Sequence, residues 1–325
     1  MNNTSSITPF RKILSALLDL GEDFPEEHLY RFSDIEPPQL SALMEVWEEI
    51  PLERKREMMQ RLEVMLEEDT LLSFDVLAVA LLRDSDAEVR SAAIRLLGEC
   101  EHATLIPIFM EMLVHDDSPD TRAAAATSLG LFVLNGELDK IAAETLREIE
   151  DVLLEAARGN DTEEVRRRAL ESLGFSSRPE VPTLIESAYW REDPLWTASA
   201  LFAMGRSSDT RWNEEVLRML SSPHREVRLA AVHAAGELSL SDARRPLLDI
   251  LESEADEKIF EAAVWSLSQI GGEDVREYLE NILDLAEEDA QMEFLEDALA
   301  NLDFTEDIQQ FEMMAYDPED PTEDS

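Results

Sequence analysis

The chain has 325 residues, 44% of them apolar, enough for one or two ordinary cores or one extended array. Its 73 acidic and 28 basic residues leave a net charge of -45. That balance argues against nucleic-acid phosphates or an anionic membrane surface as the main ligand, since both need clustered Lys and Arg.

The longest apolar run, Val76 to Leu82, is far short of the roughly 20 residues that span a bilayer. The N-terminal MNNTSSITPFRK lacks a basic-then-apolar secretory pattern, so a cytoplasmic location is expected. The single cysteine, Cys100, excludes an intrachain disulfide and a multi-cysteine metal site. In chain order, Thr8–Leu20 and Pro38–Ile50 read as helices packed ahead of a diverged pair, Leu52–Glu67 and Leu71–Leu82. Residues 1–83 are thus expected to form an N-terminal helical section and cap, atypical because one face of an end repeat meets water.

A ten-residue unit then appears six times: VRSAAIRLLG from Val89, TRAAAATSLG from Thr121, VRRRALESLG from Val165, WTASALFAMG from Trp196, VRLAAVHAAG from Val227 and IFEAAVWSLS from Ile259. Position five is always alanine: Ala93, Ala125, Ala169, Ala200, Ala231 and Ala263. Positions one, five and nine lie four apart and share a helix face, where a small residue lets a neighbouring helix approach closely. Glycine closes five units, at Gly98, Gly130, Gly174, Gly205 and Gly236, and is expected to end each helix in a left-handed conformation. In the sixth unit Gly271-Gly272 takes that role. Asp86, Ser118, Thr162, Asp193 and Asp256 sit three residues before position one as expected caps. After each such helix comes a turn and a second apolar-periodic stretch, so the unit is two antiparallel helices in about 31 residues.

These D-x-x-V-R-x-x-A-x-x-x-L-G runs, over roughly Asp84 to Leu283, resemble the HEAT family, specifically the short HEAT-like repeats of phycobilisome lyases. The resemblance implies an all-α superhelical solenoid of about eight or nine antiparallel helix pairs, with the repeats over 84–302. One interval is long, with 44 residues from Thr121 to Val165. It places an insertion near 134–147, with Asn135-Gly136 as the break and a lengthened second helix or an added turn before it. Residues 287–302 read as the C-terminal cap. Residues 303–325 read as an acidic tail, disordered from Asp317 onward.

The second-position arginines Arg90, Arg122, Arg166 and Arg228 are expected to form a structural ladder to acidic residues of neighbouring turns, with Asp84, Asp117 and Asp161 as candidates. No His-Glu dipeptide is present, so the metal site of the di-iron hydroxylase branch of the resembled family is not supported. There is also no G-x-S-x-G and no G-x-x-x-x-G-K. Acidic neighbours of Cys100 would raise its pKa. No catalytic residue, cofactor or metal ligand is assigned.

The most unusual chemistry lies in two similar turns, GFSSRPEV from Gly174 and GRSSDTRW from Gly205. Adjacent repeats would align Arg178, Arg206, Ser207, Ser208 and Arg211 along one rim, near Tyr189, Trp190 and Trp212. Such a rim suits a peptide, a carboxylate or a phosphoryl group. The alternative is that the tryptophans are inter-repeat core and the serines turn formers. The expected function is a non-enzymatic scaffold that binds a protein partner of basic character, on this rim or on a concave face formed by the second helices. No nucleic acid or membrane is expected as a partner, and the oligomeric state stays open. The resemblance also implies an alternative: a lyase- or hydroxylase-like enzyme or chaperone acting on a tetrapyrrole or modified protein.

Overall fold

Small residues decide how these helices stack. The computed structural model describes residues 9–21 and 24–315, and they form helices with no strand among them. The chain divides into two compact units, Met1–Leu173 and Gly174–Ser325. The first contains α1 (Phe10–Leu18), a 3-10 turn (Glu26–Phe32), α2 (Pro37–Trp47), α3 (Leu52–Glu68), α4 (Asp75–Leu81), α5 (Ala87–Leu96), α6 (Ile106–His115), α7 (Pro119–Glu137), α8 (Ala143–Arg158) and α9 (Glu163–Leu173). The second contains α10 (Val181–Tyr189), α11 (Pro194–Arg206), α12 (Asn213–Met219), α13 (Arg225–Glu237), α14 (Arg244–Ser253), α15 (Glu257–Ile270), α16 (Glu273–Leu285) and α17 (Asp289–Ala315).

Each unit is a solenoid stack of antiparallel pairs. The first helices of the pairs pack directly on one another: α3, α5, α7 and α9 in the first unit, α11, α13, α15 and α17 in the second. Among the described second helices, α6 and α8 alone meet more than glancingly. The first helices therefore form the tight inner layer of each unit, and the expectation that second helices line the inner surface is reversed. The cause is side-chain size. All six position-five alanines have no exposed surface, and interaxial distance follows the residues at the contact.

Position eight contributes in the same way in five of the six units, Leu96 being the exception. Ser128, Ser172, Ala203, Ala234 and Ser266 are all buried there. The Ser172 hydroxyl donates to the Ala126 carbonyl and the Ser266 hydroxyl to the Val232 carbonyl, each at 2.8 Å, so neither is left unsatisfied.

The recurring glycines do not work as expected. Among described glycines only Gly271 and Gly272 have positive φ, 76° and 126°; they close α15 as read from the sequence. Gly174, Gly205 and Gly236 instead lie against the next first helix. A Cβ on them would come within 2.8 Å of Ala203 Cα, 2.9 Å of Ala234 Cα and 2.8 Å of Ser266 Cα respectively. They are contact points, kept small for the same reason as the alanines. The left-handed residue comes three places later and carries a side chain: Ser208 after Gly205 (φ 51°) and Ser239 after Gly236 (φ 49°).

The expected caps form. Asp86 accepts from the N–H groups of Glu88 and Val89, Ser118 from Thr121, Thr162 from Val165, Asp193 from Leu195 and Trp196, and Asp256 from Ile259. The arginine ladder also forms, with its partners corrected: the Asp84 carboxylate bonds Trp47 and the Asp86 N–H and is not a rung, although the Asp84 carbonyl accepts from Arg90. Arg90 makes a two-pronged bond to Asp116, not Asp117, at 2.8 Å on both prongs, and Arg122 grips Asp161 in the same way at 2.7 Å. Arg228 reaches Glu254, and Arg166 donates to the Ala157 carbonyl. Arg56 on α3 grips Asp86 likewise, so the ladder extends into the diverged section. The hydrogen bond from Arg56 holds the Asp86 carboxyl below the usual aspartate range, and Arg122 does the same for Asp161.

Two boundaries differ from expectation. α7 runs unbroken through Asn135-Gly136, so the insertion lengthens the first helix as well as the second. Gly136 allows this because it lies under Leu146 of α8. At the C-terminus α17 continues past Asp303 to Ala315, tied down by Arg276 to Asp303 and Glu306. The segment from Asp317, read as disordered, lies outside the described residues.

Candidate functional site

All eight rim residues fall in the second unit, and the structure sorts them by depth. Tyr189 and Trp212 are 4% and 7% exposed and belong to the core, where the Tyr189 hydroxyl faces the Glu215 carbonyl at 3.4 Å. Trp190 is 63% exposed and stands edge-on to Tyr189 at 5.0 Å. Arg178 pairs with Glu180 at 3.0 Å and Arg211 with Asp209 at 2.6 Å. Ser207 donates to the Met204 carbonyl and accepts from the Asp209 N–H, while Ser208 supplies the left-handed turn residue. The serines are thus turn formers. Arg206 differs: its guanidinium lies over the rings of Phe175 and Phe202, 4.6 and 4.1 Å from their centroids, within the range of a cation–π contact.

Arg206 leads to a feature the sequence reading did not single out. Counted along the motif it stands at position eleven, one turn beyond Phe202 at position seven, on the same helix face. The equivalent residues of the next two first helices are His233 and Glu237 on α13, and Trp265 and Gln269 on α15. Phe202, His233 and Trp265 therefore form one row across the inner layer, with Arg206, Glu237 and Gln269 forming a parallel row. The glycines seat this second row: Arg206 lies against Gly174, Glu237 over Gly205 and Gln269 over Gly236.

The row is open to water. His233 and Glu237 are exposed, and Trp265 is 39% exposed. Even so, neighbouring helices reduce their solvation. That surrounding pushes the Glu237 carboxyl up, opposed in part by Arg206, and pulls the His233 imidazole down. The signal was legible: position seven reads Phe, His, Trp in three consecutive decapeptides.

Elsewhere the chemistry is sparse. Cys100 lines a cleft of about 510 Å³ with Glu63, Asp75 and Arg95. Burial and the Asp75 carboxylate raise its thiol pKa, which leaves it a poor nucleophile. Among the described residues no group of three His, Cys, Asp or Glu side chains could hold a metal ion. No helix among them is long and apolar enough to cross a membrane.

A family model described as HEAT repeats matches residues 74–151, 181–259 and 213–300, more than half of the chain. The chain belongs to the HEAT-repeat family. Among curated proteins this HEAT chain is similar to the uncharacterized phycocyanin operon protein Z of Pseudanabaena tenuis, with 27% identity over 133 residues. That stretch is 41% of this chain and 63% of the relative, so the chain spans less than two thirds of the relative's length. Among solved structures it is similar to the complex of CpcE and CpcF of phycocyanin lyase from Nostoc sp. PCC7120, with TM-score 0.52 and 15% identity. That match covers 88% of this chain and 97% of the other, and at this identity it concerns the fold. The two findings overturn the expectation that the chain is not an enzyme. A solved phycocyanin lyase complex has a similar fold and a phycocyanin operon protein is 27% identical over 133 residues, so the repeat fold does not set the chain apart from enzymes.

Proposed function

We propose that the chain is a HEAT-repeat subunit of the bilin-lyase kind, which holds a protein partner and acts with it on a tetrapyrrole. The observation that carries this reading is the similarity to a phycocyanin operon protein over 133 residues, together with a fold shared with a phycocyanin lyase complex. The partner is held in the second unit. The rim of Arg178, Trp190, Arg206, Ser207, Ser208 and Arg211 supplies polar contacts and one exposed ring, and Tyr189 and Trp212 support it from below.

The test is to incubate the purified chain with free bilin and apo-phycocyanin, and to follow pigment that stays with the apoprotein after denaturation. The chain is expected to speed covalent attachment by about tenfold or more over the spontaneous reaction, an effect of about 1.4 kcal/mol on the barrier. A rate unchanged by the chain, with no visible absorption band on the chain itself, would refute the reading.

A further inference from the structure

We infer that the inner face of the second unit binds an extended, cationic segment of the partner protein, laid across α11, α13 and α15 on the row Phe202, His233 and Trp265. This inference rests on the partner-holding half of the function proposed above and gives that partner a chemistry.

Spacing is the first argument. Packed helices lie about 8–10 Å apart. A polyproline-like extended strand completes a turn every three residues and rises about 9.3 Å in doing so. One turn of ligand therefore meets one repeat, and every third ligand residue faces an equivalent position-seven side chain. Aromatic side chains at that interval are how other grooves read such segments.

Charge is the second argument. Glu237 stands beside the row, midway between Arg206 and Gln269, and the chain as a whole carries -45. Arg206 is stacked on Phe175 and Phe202 at the α11 end, so the cationic residues of the ligand lie toward α13 and α15. There a Lys or Arg stem can cover Trp265 while its head group faces Glu237. The Gln269 amide, with both a donor and an acceptor, suits a ligand peptide group. A second copy of this chain is a poor occupant, because two such acidic surfaces repel.

The probe is a fluorescein-labelled (Arg-Pro-Pro)4 peptide titrated with the full chain and read by fluorescence polarisation, with (Glu-Pro-Pro)4 as the control. The arginine peptide is expected to bind and the glutamate peptide not to. Trp265→Ala and Glu237→Gln should each weaken binding by about fivefold to tenfold, while Glu280→Gln on the exposed side of α16 leaves it within twofold. Trp265→Ala separates the groove from general attraction, because it leaves the charge unchanged. Glu237→Gln keeps the side-chain shape and covers the case in which the tryptophan variant misfolds. Equal affinity of all three variants would mean that the acidic surface at large attracts the peptide, and would overturn the inference. So would no binding of (Arg-Pro-Pro)4 at all. Neither result depends on bilin attachment, so the two proposals fail separately.

Discussion

Gly236→Ala lowers the stability of the second unit by about 2–3 kcal/mol, the range for forcing a methyl group into a packed contact. The new Cβ would lie 2.8 Å from Ser266 Cα and 2.7 Å from its Oγ. A side-chain oxygen can rotate away, but the Cα cannot move without displacing α15 from α13. Helix propensity works in the opposite direction, since alanine is the better helix former by about 1 kcal/mol. A net loss would therefore isolate the packing effect. Gly98→Ala is the control: its nearest neighbour is the Arg95 carbonyl at 3.1 Å, with no adjacent helix involved. Its stability should stay within about 1 kcal/mol of the parent. Repeat arrays do not unfold in one step, so urea unfolding by circular dichroism should be paired with amide exchange along α13 and α15. An unchanged midpoint for Gly236→Ala would show that the first helices have room to spare.

Asp84→Ala costs about 3 kcal/mol in the first unit, because it leaves two donors of a buried site without their shared acceptor. The Asp84 carboxylate accepts from Trp47 Nε1 at 2.5 Å and from the Asp86 N–H at 2.8 Å, and the residue is buried. Its carbonyl receives Arg90, which also grips Asp116. One residue thus ties α2 to the capping turn of α5 and to the arginine ladder. Lys55 lies over the Trp47 ring at 5.0 Å and holds the indole in place. Asp84→Asn keeps an acceptor and should lose about half as much, since it gives up the charge and not the geometry. Thermal melting of both variants measures this. An alanine variant that melts with the parent would mean that water replaces the carboxylate.

Much of the architecture was legible because it rests on side-chain volume and capping chemistry, both of which leave local marks. Alanine at position five of each unit, Asp, Ser or Thr three residues before the motif, and arginine at the second position of three units (Arg90, Arg122 and Arg228) found the expected structural role. The ladder partner was misplaced by one residue because the turn geometry sets which of Asp116 and Asp117 faces Arg90. The glycines were misread for a deeper reason: glycine serves both a left-handed turn and a close approach, and the sequence does not say what lies opposite. Small residues at position eight were the missing clue, since they mark a second point where backbones meet.

The candidate site was only half legible. Its turns stood out because Arg, Ser and Trp are conspicuous against an acidic chain, yet Arg178 and Arg211 are balanced by the adjacent Glu180 and Asp209. The inner row is built from single residues 31 or 32 positions apart, which become neighbours only after the helices stack. Which layer faces inward could have been read from size: the layer with alanine, serine and glycine at its contacts packs closer and must lie inside.

Electron paramagnetic resonance distances within the second unit test that layering directly. Spin labels at Phe202→Cys and Trp265→Cys report the inner layer across two repeats, and labels at Arg218→Cys and Glu280→Cys report the outer layer over the same interval, with Cys100 replaced by alanine. Tight nesting predicts an inner separation of about 16–20 Å, two helix spacings, and a clearly longer outer one. An inner separation equal to or greater than the outer would contradict it, and would remove the groove on which the partner is proposed to lie.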